Sequence, residues 1–511
     1  MTRTTLRTAA AAAVLPLLVP VTTFAQSNIV TLTAPGTNGG WNWCMDERAI
    51  VDNGKLITGW VTTDGRVQST TYDFHTNTQG ATFNLDTNFE RDDHNNPSFY
   101  KTTDGRYTAF WSEHTYPGRY VHYRTSTSPA DVSAWGAKTD IATNTLTSNT
   151  NWGVTYPHAY QMPGGTRDQA MLFWRGGNWK PTYSIGQYSS GTKTWNWTDA
   201  RNAIVDFTSP ANVDTNVRPY TVIGGNSRQI GVAFTDHHPR DADKSSSLLG
   251  NNLYYAAIKA DAQGTLGYYR ANGSLIQTLA SGPLHKSNAE KIFAQNDGIA
   301  ENGDNSWGWD LAFDKQDKPV VAYATFKPNP SFPSGPGYPE GNQAYDTHQY
   351  HWARFDGTKW VDRTLVLDAG GSIADMSVGN KEYQYSGGIA LDPKDPNVVY
   401  LSRKVGGNFE LEQWKTGDDG ATWTTLSITS TSGTEDVRPV VPLDRPDGVE
   451  MVLWMSGQYE YWKPVTLGGT TRSFDTEVML WTNVVPEPGA FGLASVCLYA
   501  LARHRRSSNR G

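Results

Sequence analysis

Asp-Gly or Asn-Gly recurs at Asn53-Gly54, Asp64-Gly65, Asp104-Gly105, Asn272-Gly273, Asp356-Gly357 and Asp419-Gly420, each time beside short runs of β-branched and aromatic residues. Both members of such a pair tolerate positive φ, which a tight hairpin requires and most residues resist. A chain punctuated in this way folds as many short antiparallel strands. No stretch carries the period and length of a long amphipathic helix, and the wealth of Trp, Tyr, Gly, Thr and Asn over Lys and Glu suits strands joined by polar loops. Thr62-Thr63-Asp64-Gly65-Arg66 is nearly repeated at Thr102-Thr103-Asp104-Gly105-Arg106, a spacing that predicts one four-stranded sheet per unit.

The two ends read as processing signals. Residues 1–25 place Arg3 and Arg7 ahead of an Ala/Leu/Val run ending in Thr23-Phe24-Ala25, the layout of a cleaved secretory signal. Residues 485–506 run from Val485-Pro486-Glu487-Pro488-Gly489 through an apolar stretch to Arg503, His504, Arg505 and Arg506. This resembles the PEP-CTERM sorting tail, which implies delivery to an envelope sorting protease and release at the cell surface. The apolar stretch is too short to span a bilayer comfortably, so the mature protein is expected to keep no stable membrane span and to be secreted or displayed at the surface. Only Cys44 and Cys497 occur, and Cys497 lies in the tail, so the mature chain is expected to have no disulfide and no Cys-rich zinc site.

Thr416-Gly417-Asp418-Asp419-Gly420-Ala421-Thr422-Trp423 matches the Asp-box turn of sialidase-like propeller blades, and Gly191-Thr192-Lys193-Thr194-Trp195 is a weaker relative. The expected fold is all-β, a seven-bladed β-propeller over residues 28–482; blades of about 65 residues would use the body. A β-sandwich array is the alternative. Residues 327–342, dense in Pro and Gly, read as one long loop within it.

A net charge of −7 argues against nucleic acid as a partner, because phosphate recognition needs a basic face. A local cluster of Arg and His can still hold an anion in an acidic protein. Such a cluster is foreshadowed by Asp92-Asp93-His94-Asn95-Asn96-Pro97, too polar for a strand core and ended by a Pro that stops pairing, which places His94 at a strand entrance on the channel rim. A second histidine follows in Trp111-Ser112-Glu113-His114, and imidazoles beside carboxylates suit proton transfer near neutral pH. In Phe173-Trp174-Arg175-Gly176-Gly177-Asn178-Trp179 the guanidinium is suited to gripping a carboxylate, with Trp174 or Trp179 as a stacking wall for a sugar ring.

These motifs, with Gly39-Gly40-Trp41-Asn42-Trp43, Thr155-Tyr156-Pro157, Asn216-Val217-Arg218-Pro219-Tyr220, Phe234-Thr235-Asp236-His237-His238-Pro239-Arg240, Tyr385-Ser386-Gly387-Gly388-Ile389-Ala390-Leu391-Asp392 and Val399-Tyr400-Leu401-Ser402-Arg403-Lys404, together resemble the BNR-repeat family that includes seven-bladed ulvan lyases. The resemblance implies a polysaccharide lyase that cleaves a uronate-containing, sulfated, ulvan-like anionic polysaccharide by β-elimination, with no cofactor required for the chemistry. It implies His94 and His114 as paired imidazoles, Arg175 as the carboxylate neutraliser and Tyr156 as the phenolic base or acid, Tyr160 being the other phenol that fits. Asn95, Asn178, Trp179 and Tyr220 are the expected substrate contacts. Rhamnosidases of the same fold, acting on rhamnose–glucuronate linkages, are the alternative; they place their histidine early in the first blade, where Ile50-Val51-Asp52-Asn53-Gly54 has none. A non-catalytic carbohydrate-binding propeller is the other. His237-His238 and His348-x-x-His351, flanked by Asp236 and Asp346, are candidate ligands for a structural divalent ion.

Overall fold

The computed structural model describes residues 28–43, 48–114, 120–143, 154–176, 179–205, 219–237, 251–294, 305–328, 345–367, 386–467 and 469–485. Seven antiparallel sheets of at least four strands follow one another along them, over residues 49–86, 98–142, 155–202, 221–293, 305–367, 389–427 and 435–482, here blades 1 to 7. The expected seven-bladed propeller is therefore the fold, and the candidate leader and all but the first residue of the candidate tail lie outside the described residues. Among the described residues no helix is long and apolar enough to cross a membrane.

The ring is closed by the N-terminal strand. Ile29–Thr31 pairs with Phe474–Thr482 of blade 7, Ile29 opposite Trp481 and Thr31 opposite Met479, and so supplies that blade's outermost strand. Apolar cores lie between neighbouring blades: Ile57 and Trp60 of blade 1 share one with Phe99 and Trp111 of blade 2 and with Leu453 and Phe474 of blade 7. Burial falls outward along each blade. The second strand of blade 2, Tyr107–Ser112, is buried at every position, whereas its fourth, Thr139–Ala142, is exposed except at Ile141. Aromatic rings stand among the largest fully buried side chains, and burying a large apolar side chain contributes about 1.5–3 kcal/mol.

Strand polarity sorts the loops onto two faces. The start of each first strand and the end of each second strand lie on one face, and the turns joining strands one to two and three to four lie on the other. The Asp box falls between Asn408–Lys415 and Thr424–Ser427 of blade 6, on the second face; there Asp418 accepts from Thr422 N at 2.8 Å and Thr422 Oγ1 at 2.7 Å. The Thr-Thr-Asp-Gly-Arg repeat does not mark equivalent positions of two blades. Thr62–Gly65 joins strands two and three of blade 1, while Thr102–Gly105 joins strands one and two of blade 2, so the copies sit on opposite faces. What they share is local: in each, the threonine N–H bonds the arginine carbonyl four residues on at 2.9 Å and its hydroxyl caps the aspartate.

Candidate active site

The first face is where the sequence motifs meet. Asp93–Asn95 forms a single 3₁₀ turn ahead of the first strand of blade 2, and Asp92 caps it by accepting His94 N at 3.0 Å. Pro97, which cannot donate to a ladder, ends the turn and hands the chain to Ser98–Lys101. The turn aims His94 Nδ1 back at two carboxylates, Asp92 Oδ1 at 2.6 Å and Asp93 Oδ1 at 2.9 Å. His114, just past the end of the second strand, puts its Nδ1 2.8 Å from Asp92 Oδ2, and Glu90 accepts its N–H at 2.6 Å. One carboxylate thus ties both imidazoles, which stack with centroids 3.8 Å apart and planes 15° from parallel. With both Nδ1 atoms committed, Nε2 is the nitrogen each ring has left for a substrate.

The pair is electrostatically split. Burial opposes a charge on His94, but the carboxylates of Asp92 and Asp93 outweigh it and hold the imidazolium up to about 9. For His114 burial again disfavours the charge, the His94 cation and Arg175 add to it, and Asp92 only partly compensates, so its pKa is lowered. Near neutral pH the stack therefore holds one cationic and one neutral ring. Both open narrowly to solvent, with side chains 7% and 13% exposed.

Arg175 closes the second strand of blade 3, Gln169–Arg175. Its Nη1 shares the phenol oxygens of Tyr220 at 3.1 Å and Tyr156 at 3.4 Å, and its Cζ lies 4.4 Å from the Trp179 ring centroid and 4.9 Å from that of Tyr156. Among the described residues no carboxylate pairs with it, and its buried Nε has no acceptor. The Tyr156 ring is 5.5 Å from that of His94, so the four expected residues share one site. Two backbone features aim them: Tyr156 has φ +62° at a register shift between Thr155 and His158, and Trp179 has φ +66°. Bulky residues rarely adopt this conformation, and strain of order 1–3 kcal/mol at such a residue persists only where its surroundings enforce it.

Several expected residues fall elsewhere. Asn95, expected to touch substrate, is wholly buried and spends its amide on Glu90, at 3.0 Å to the carbonyl and 3.3 Å to Oε2, because the 3₁₀ turn points it away from the cleft. Trp174 faces the core between blades 2 and 3, which leaves Trp179 as the aromatic beside Arg175. Tyr160 sits deeper, its hydroxyl bonded to Ile223 O. Asn178, Arg218, His238 and Tyr385 lie outside the described residues, as do the side chains of Asp346 and His348. His351 is engaged on both sides, by Thr325 Oγ1 at 2.8 Å and Asp362 Oδ2 at 3.0 Å, and His237 lies 3.4 Å from Asp236 on another blade. Among the described residues, ligand-type atoms of three side chains converge within 4.8 Å only at Asp92, His94 and His114. There the carboxylate and the two imidazoles are joined to one another by hydrogen bonds.

Sequence reasoning missed three residues of this face. Trp462 sets its edge against both imidazoles, at 5.6 Å from His94 and 5.1 Å from His114. Arg438 and Tyr459 of blade 7 both reach Asp93 Oδ2, at 2.9 and 2.6 Å. One signal was available: Val437-Arg438-Pro439 repeats Val217-Arg218-Pro219 ahead of Tyr220.

Among solved structures the fold is similar to that of an ulvan lyase from a new family of polysaccharide lyase, with TM-score 0.59 and 14% identity over 88% of this chain and 94% of that one. The same comparison with an ulvan lyase bound to -[GlcA(1-4)Rha3S]- gives TM-score 0.60 and 15% identity over the same shares. At these identities the likeness is one of fold. No curated protein matches the chain. The family model described as BNR repeat-containing family member matches residues 57–367, more than half of the chain, which therefore belongs to that family.

Proposed function

We propose that the chain is a polysaccharide lyase that cleaves a uronate-containing, ulvan-like anionic polysaccharide by β-elimination. The observation that carries this reading is Arg175, a guanidinium ringed by Tyr156, Trp179 and Tyr220 with no carboxylate partner among the described residues, one ring away from an imidazole pair split in charge. A uronate C5 proton is weakly acidic until its carboxylate is neutralised, and a planar guanidinium does that through a two-point grip. In the elimination His114 accepts the C5 proton at Nε2. The electrons of the C5–H bond form the C4–C5 double bond, and the C4–O bond breaks with its pair on the departing oxygen. His94 donates its Nε2 proton to that oxygen, and exchange with solvent resets both rings. Tyr156, whose hydroxyl is 3.4 Å from Arg175 Nη1, is the other base or acid within reach, for a substrate whose proton and leaving group share one face. Fold similarity to a lyase bound to a glucuronate–rhamnose sulfate repeat supports a substrate of this class.

A glycosidase reading asks for two carboxyl groups flanking the scissile bond. Asp92 and Asp93 have fully buried side chains and lie behind the imidazoles, which favours elimination. Incubating the purified protein with a panel of uronate polysaccharides decides the matter. Lyase action gives a rise in ultraviolet absorbance from the conjugated double bond; cutting without that rise means hydrolysis, and binding without cutting means a carbohydrate-binding propeller. We propose further that residues 1–25 direct export and that an envelope protease removes residues 485–506, leaving the enzyme secreted or at the cell surface.

A further inference from the structure

Asp93 does more than the turn requires of it. Asp92 already caps the turn and holds both histidines, yet Asp93 is also fully buried, with one oxygen on His94 and the other clamped by blade 7. The clamp is built with care at the backbone. Arg438 has φ +55° at a register shift between Val437 and Val440, and its N–H bonds Gly387 O at 2.6 Å. Its guanidinium is 2% exposed and lies 3.9 Å from the Tyr459 ring centroid and 4.8 Å from that of Trp43; Nη1 also donates to Trp41 O at 2.6 Å. Nε and Nη2 have no acceptor among the described residues. A strained, buried arginine with half its donors idle is a costly way to join two blades, and aromatic faces offset only part of that cost. Among the described residues its one charged contact is the oxygen of Asp93 turned away from His94.

We propose that Asp93, locked by Arg438 and Tyr459, is a positioning residue that keeps His94 doubly protonated, so that the last blade of the ring sets the acid–base state of a histidine on the second. The mechanism is one of orientation and charge. Arg438 keeps the fully buried Asp93 an anion, and with Arg438 and the Tyr459 hydroxyl on its outer oxygen the inner oxygen, which accepts no hydrogen bond, holds its charge 2.9 Å from His94 Nδ1, whose own hydrogen bond goes to Asp92. The groups facing His94 are then Asp92 and Asp93 from its own turn, His114 from blade 2, Tyr156 from blade 3, Trp462 from blade 7 and Trp43 from ahead of blade 1, with Arg175 beyond Tyr156 and Arg438 and Tyr459 beyond Asp93. Of the two carboxylates, Asp92 is divided between two imidazoles, whereas His94 is the one imidazole that Asp93 faces among the described residues.

The inference deepens the elimination reading, but its first test does not use turnover. Imidazole nitrogen NMR on histidine-labelled full-length protein, assigned with His94→Gln, follows the His94 titration directly. The parent should titrate well above the ordinary imidazole value of about 6.5. Asp93→Asn should lower that midpoint by at least about one pH unit, and Tyr459→Phe by a smaller step in the same direction. Removing one partner of a buried ion pair can unfold a protein, so a double variant, Asp93→Asn with Arg438→Met, removes both charges together. If the clamp served folding alone, the double variant would restore both the fold and the parent titration; the proposal expects the fold restored and the midpoint still lowered. A His94 midpoint unmoved in the folded double variant and in Tyr459→Phe overturns it, as does a His94 already neutral at pH 7 in the parent. Where the protein turns over a uronate polymer, the basic limb of kcat/KM should shift with the NMR midpoint, which separates failure of this proposal from failure of the lyase reading.

Discussion

His94 and His114 have the same side chain, the same Asp92 partner and nearly parallel, stacked rings, and differ only in what else surrounds them. Two carboxylates face His94, while His114 has a share of one and two cations nearby. If elimination is the reaction, His94→Ala and His114→Ala should each lower kcat by about 10²–10⁴-fold, the usual cost of a lost proton-transfer group. Arg175→Ala should raise KM as well, since ground-state grip on the carboxylate goes with it. Steady-state kinetics on one polymer checks all three, and an unchanged kcat in either histidine variant removes it from the chemistry. The charge split also fixes a pH dependence. The working state needs His94 protonated and His114 neutral, so kcat/KM should be bell-shaped, with a basic limb near the His94 value of about 9 and an acid limb below the ordinary imidazole range. Stability follows the same signs. The His94 contribution is full below about 6.5 and is lost as pH climbs through about 9, whereas the His114 contribution is full above about 6.5 and is lost as pH falls through its lowered value. A profile with no basic limb up to pH 10 would contradict a cationic His94.

Single turns and strand ends, more than whole blades, aim these side chains. Gly388 shows how little room they have: its φ is +107°, and a Cβ there would meet Arg438 Cα and Pro439 Cδ at 3.1 Å and the Trp309 ring at 3.2 Å. Gly388→Ala should therefore cost roughly 1–3 kcal/mol of stability and lower activity together, by displacing Arg438 from Asp93. Asp418→Ala, in the Asp box on the opposite face, should lower the unfolding temperature with kcat intact; thermal melts beside kinetics on the two variants separate the faces. An equal loss of kcat in both would mean that the faces are not independent. The same local character decided what could be read from sequence. Asp92-Asp93-His94-Asn95-Asn96-Pro97 was legible because a polar run ending in Pro can neither pair nor pack, so it had to be a rim turn. Which of its side chains faced the cleft was not legible: a 3₁₀ turn sends Asn95 to Glu90 and His94 to the carboxylates, and spacing alone does not distinguish the two. The Thr-Thr-Asp-Gly-Arg repeat misled because hydrogen bonds within five residues generate it wherever a hairpin is tight. Arg438 escaped because its meaning lies 345 positions away, at Asp93, and only closure of the ring brings the two together.

At the scale of the whole molecule, the site is a product of that closure. His94 and His114 belong to blade 2, Tyr156 and Arg175 to blade 3, and Arg438, Tyr459 and Trp462 to the last blade or the loop that follows its second strand, so neither end of the chain can complete the cluster alone. What holds the last blade in the ring is its apolar contact with blade 1 and the short ladder between Ile29–Thr31 and Phe474–Thr482. A leader cut after Ala25, as proposed, would leave only Gln26, Ser27 and Asn28 ahead of that strand, so the clasp would lie close to the new N-terminus. The ladder amounts to a few backbone hydrogen bonds at about 1 kcal/mol each, and for a body this size a loss of ~3 kcal/mol moves the melting midpoint by only about 3 °C. The larger consequence is exposure of an edge. Phe474–Thr482 alternates buried and exposed positions over much of its length, and without its partner it presents unpaired N–H and C=O groups that invite pairing between molecules. A variant that begins at Leu32 should therefore melt a few degrees lower and aggregate on heating at concentrations where the parent does not. At low temperature its folded fraction should keep the parent kcat and His94 titration, because blade 7 still packs on blade 1 through Phe474 and Leu453. Differential scanning fluorimetry with light scattering, beside activity per folded molecule, checks this. A variant that melts like the parent without aggregating would show that packing between blades closes the ring and that the strand is incidental to it.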